Sequence, residues 1–73
     1  MKLYALLKQD GTERTTVCIT EDINKIRRSI VSDLTPNEDF PEFEIWKDGE
    51  RVSYTSGNDV LKKVAHEINI VSQ

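Results

Sequence analysis

Cysteine, histidine and tryptophan each occur once in this chain of 73 residues. A single Cys18 excludes an internal disulfide, and one Cys with one His cannot close a nitrogen/sulphur zinc site. The three glycines form no phosphate-cradling loop: Gly11 and Gly49 follow aspartates in turn-like settings, and Gly57 approaches a helix. No Asn-x-Ser/Thr acceptor is present. The longest apolar run, Leu3-Tyr4-Ala5-Leu6-Leu7, is too short for a signal-peptide core and far too short to span a bilayer. A cytoplasmic protein without cofactor, metal or membrane contact is the expectation.

A global basic field is missing too, since the formal charge is −3. The charge is uneven. Residues 33–44 hold Asp33, Glu38, Asp39, Glu42 and Glu44 with no base, whereas residues 1–32 hold six bases against four acids. Four of those acids (Asp33, Glu38, Asp39, Glu42) lack the alternating spacing of a calcium loop, so the segment reads as a solvated acidic loop, with Glu38 and Asp39 most exposed. Lys25, Arg27, Arg28, Lys62 and Lys63 read as solvated helix faces.

What is present suffices for one domain, residues 1–73, with hydrophobic content 37% and charged content 32%. A domain this small buries only about 60% of its unfolded surface, so self-association would help it. Two Asp-Gly pairs, Asp10-Gly11 and Asp48-Gly49, predict hairpins over residues 2–9 with 13–20 and 42–47 with 50–55. A helical stripe follows each: Ile23, Ile26, Ile30 and Leu34, then Val60, Leu61, Val64, Ile68 and Val71. Thr20 and Asn58 are the expected caps, with Pro36 as the first helix's stop. The halves, 1–34 and 42–73, also resemble each other, as in Lys8–Arg14 against Lys47–Arg51. The fold class is therefore α+β: tandem ββα-ββα, a four-stranded antiparallel sheet carrying both helices on one face.

Side-chain facing decides what a partner would meet. A two-residue Asp48-Gly49 turn groups Phe43, Ile45, Val52 and Tyr54 under the helices and sends Trp46 and Arg51 to the open face. In the first hairpin, a three-residue loop puts Leu3, Ala5, Leu7, Val17 and Ile19 under the helices and Tyr4, Leu6 and Cys18 outside. A two-residue turn groups Tyr4 and Leu6 with Val17 and Ile19 instead. The longer loop is favoured, giving an open face of Tyr4, Leu6 and Trp46 ringed by Lys2, Lys8, Arg14, Arg51 and Glu44.

Chemistry is sparse. Cys18 and His66 are the only available nucleophile–base pair, and neither sits in an activating setting, so no enzyme is expected and no small-molecule substrate is evident. The expected function is a protein-interaction or regulatory module, such as an inhibitor or adaptor of bacterial or phage origin, binding a protein partner or itself. Its candidate contacts are Tyr4, Leu6, Trp46, Arg51, Glu38 and Asp39. The alternative is a single-stranded nucleic-acid binder stacking bases on Tyr4 and Trp46, with Lys2, Lys8, Arg14 and Arg51 meeting phosphates.

Overall fold

A computed structural model describes residues 1–35 and 37–72. Strands β1 (Lys2–Asp10) and β2 (Glu13–Thr20) precede helix α1 (Ile23–Asp33); β3 (Phe40–Lys47), β4 (Glu50–Ser56) and α2 (Asp59–Val71) repeat the pattern. All neighbouring strands are antiparallel, in the spatial order β2-β1-β3-β4. The expected architecture stands. Its shortest Cα extent, 17 Å, leaves room for one sheet and one helix layer.

Both hairpins close through two-residue turns. Asp10 pairs with Glu13 around Gly11-Thr12, and Lys47 with Glu50 around Asp48-Gly49. Asp48 and Gly49 have φ of 51° and 85°, the left-handed pair that matches the twist of the strands they join. Each outer strand then carries one extra residue. Leu7 pairs with Thr16 but Leu6 with Cys18, so Val17 is a bulge; Trp46 pairs with Arg51 but Ile45 with Ser53, so Val52 is another.

Those bulges, with the shorter first turn, overturn two expected facings. Tyr4 and Leu6 are 2% and 0% exposed and belong to the core with Phe43, Ile45, Ile23, Ile26, Val60 and Val64. Cys18 and Val17 pack against that core, while Leu3, Ala5, Leu7 and Ile19 turn to the open face. In β4 the extra residue leaves Val52 exposed and swings Tyr54 into register with Glu44, away from the helices. Phe43, Ile45 and Trp46 lie where their alternation placed them.

The helices meet the sheet through their expected stripes, with trimmed ends. Leu61 and Val71 are exposed; Val60, Val64 and Ile68 do the packing. Asp22, not Thr20, caps α1, its carboxylate accepting from the Asn24 amide at 2.9 Å. Thr20 instead accepts from the Asp22 amide at 3.0 Å. Asn58 precedes α2 without a side-chain capping bond. Helix α1 ends at Asp33 with an extended Leu34, and the expected stop at Pro36 lies outside the described residues. Beneath α2, Glu67 is buried with its Oε1 2.7 Å from Lys2 Nζ, and that oxygen meets no other polar partner among the described residues.

Candidate functional site

The open face of the sheet divides into an apolar cleft and a charged strap. On β1, Leu3, Ala5 and Leu7 alternate with the core residues, so they emerge on the side away from the helices. Ile19 stands beside Ala5 on β2, and Trp46 stands beside Leu3 on β3. Ala5 is the low point at 5% exposed, while neighbouring Ile19 rises to 62%. Together with Glu44 and residues at one end these side chains enclose a cleft of about 290 Å³.

The strap runs along the cleft's other side and ties three strands together. Arg14 of β2 reaches across β1 to grip Glu42 of β3 with two bonds, 2.8 and 3.1 Å. The Tyr54 hydroxyl of β4 donates to the same carboxylate. Arg51 donates to Glu44 at 2.9 Å, and the Trp46 indole N–H donates to the other Glu44 oxygen at 3.3 Å. The Arg51 guanidinium also lies 5.2 Å from the centre of the Tyr54 ring, not against Trp46 as its register suggests. Glu42 and Glu44 are buried, so their charges are held by fixed partners rather than by water. The hydrogen bond that the Tyr54 phenol donates to Glu42 holds its pKa above the ordinary 10.0, and repulsion between a phenolate and the Glu42 carboxylate adds to it.

Of the residues expected to contact a partner, the structure brings Trp46 and Arg51 to this face and withdraws Tyr4 and Leu6 into the core. The acidic stretch 33–44 does not form one negative surface. Glu38 is exposed, but the Asp39 carboxylate folds back to accept from the Thr35 amide at 2.8 Å and lies 3.9 Å from Lys8. Glu42 and Glu44 belong to β3 and its arginine pairs. The residues missed from sequence are Leu3, Ala5, Leu7, Ile19, Tyr54 and Glu42.

Cys18 and His66 do not meet. Cys18 is on β2 at one edge of the sheet, and His66 is on α2 near Thr55 and Ser56 of β4 at the other. Among the described residues no group of three or more His, Cys, Asp or Glu is placed to hold a metal ion, and no helix is long and apolar enough to cross a membrane. No protein-family model matches the chain, and neither does a curated protein or a solved structure.

Proposed function

We propose that this chain is a non-catalytic protein-interaction module, an adaptor or inhibitor, whose contact surface is the open face of the sheet. The observation that carries this reading is the apolar cleft between Ile19 and Trp46, on a face that neither helix covers. Apolar side chains gathered on one uncovered face are what a partner surface can desolvate. A buried, strapped floor also holds the cleft in shape before anything binds, which lowers the ordering cost of association.

The single-strand nucleic-acid alternative has weaker support on this geometry. Of its two stacking rings, Tyr4 is in the core, and both arginines on the face already pair with carboxylates. Affinity capture from the native source tests the interaction reading. Leu7→Lys, at the cleft, should lose a partner that the wild type and Val31→Lys, on exposed α1 surface, both retain. Identical capture by all three proteins removes the open face as the contact surface.

A further inference from the structure

Resting on that reading, we propose that the occupant of the open face is a second copy of this chain, packed sheet against sheet about a two-fold axis. Three features select this occupant.

The first is shape. Ile19 and Ala5 are register partners, so a protruding side chain stands directly beside the lowest point of the cleft. Face-to-face pairing sets such protruding and low-lying side chains of one copy against those of the other. Facing sheets pack about 10 Å apart by interleaving large and small side chains.

The second is charge. Arg14 and Arg51 are balanced on this face by Glu42 and Glu44, which are their own ion-pair partners. The chain's net charge of −3 therefore resides elsewhere. A face without net charge offers no steering to a strongly acidic or basic partner, and it does not repel its own copy.

The third is area. Four strands about 4.8 Å apart and about eight residues long at 3.3 Å each give a footprint of about 500 Å² per copy. A pair thus buries about 1,000 Å², the lower bound of a specific interface. The alternative route, adding a copy to a sheet edge, is obstructed, because both edge strands carry their bulges at Val17 and Val52.

Sedimentation equilibrium from about 1 μM to about 1 mM tests the proposal across the affinity range such an area supports. The wild type should be a reversible dimer. Ile19→Arg should raise the dimer dissociation constant at least about tenfold, since it puts an unpaired charge into the contact. Val31→Arg should leave that constant unchanged. Ile19→Thr, which keeps the β-branched shape that strands favour, guards against misfolding of the arginine variant and should weaken the dimer in the same direction. A wild type that stays monomeric throughout, or a dimer equally strong in both Ile19 variants, overturns the proposal. If the wild type is monomeric yet Leu7→Lys loses a captured protein, the self-pairing inference fails alone. If capture is also unchanged, the open face fails with it.

Discussion

Lys2 and Glu67 show how one ion pair sets an alkaline limit on this fold. The Glu67 side chain is 4% exposed and the Lys2 side chain 41%, so the pair sits half in and half out of water. Its hydrogen bond to Glu67 is the main cause that raises the Lys2 pKa above its ordinary 10.5, against the opposing effect of burial. A raised folded-state value means that the pair's contribution is complete below pH 10.5 and is lost as pH climbs through that higher value. Tyr54 acts in the same sense, its phenol being raised above 10.0 by Glu42. Urea unfolding followed against pH should therefore show stability dropping above about pH 10, and the drop should shrink in a Lys2→Met, Tyr54→Phe double variant. At neutral pH, Lys2→Met leaves a buried carboxylate without its partner. A fully buried pair broken this way costs about 3–5 kcal/mol, and the exposure of Lys2 reduces the expected loss to about 1–2 kcal/mol. Lys2→Met together with Glu67→Gln should recover part of it; a double variant no more stable than Lys2→Met argues that the carboxylate's charge is not the problem.

At the scale of elements, the two bulges decide which face each outer strand shows. Val52 is the residue that β4 has in excess, so removing it leaves Trp46 opposite Arg51, Ile45 opposite Ser53 and Glu44 opposite Tyr54. Deleting Val52 should accordingly keep the fold, with stability within about 1 kcal/mol of wild type. In a regular ladder the same deletion would turn Tyr54 to the opposite face and cost far more. Asp22→Ala should cost about 1 kcal/mol through the lost cap, whereas Asn58→Ala, with no capping bond to lose, should cost a few tenths. These elements also show what the sequence could disclose. The Asp48-Gly49 turn and the alternation Glu42-Phe43-Glu44-Ile45 fixed β3 and its facing. Arg51-Val52-Ser53-Tyr54 keeps a regular period of two, so nothing local announces the bulge. β1 is apolar on both faces, and its hairpin partner could not resolve it. The deciding information was its other neighbour: β3 sets Tyr4 opposite Ile45 and Leu6 opposite Phe43, whose burial was already clear. The cleft is hidden for the same reason, because the three-residue loop puts Leu3, Ala5, Leu7 and Ile19 under the helices.

For the whole molecule, the seam between the two ββα halves runs through the middle of the sheet. β1 and β3 pair along their length, from Lys2 with Lys47 to Gln9 with Phe40, and the core is drawn from both halves. Neither half owns a core, so a two-stranded hairpin with one helix should not persist by itself. Peptides spanning residues 1–35 and 37–73 should each give a largely unordered circular-dichroism spectrum and regain the native spectrum when mixed; a half that folds unaided would make the chain two units instead of one. The overall charge balance makes a further prediction. Short poly-pyrimidine and poly-purine strands, titrated at low salt, should show no saturable binding, since the face's arginines are already neutralised. Saturable, salt-sensitive binding weakened by Trp46→Ala would restore the nucleic-acid reading.

The bulges at Val17 and Val52 have a consequence for concentrated solutions. A straight strand at either end of the sheet would let molecules add one after another, with a fresh docking strand exposed at every step and no natural end to growth. A kinked outer strand withholds the evenly spaced backbone donors and acceptors that such growth needs. Association through the sheet's broad side, by contrast, ends at two molecules, because each covers the surface that the other would need. The same two valines that disguise the register in the sequence thereby work against edge-to-edge growth of this chain into a filament.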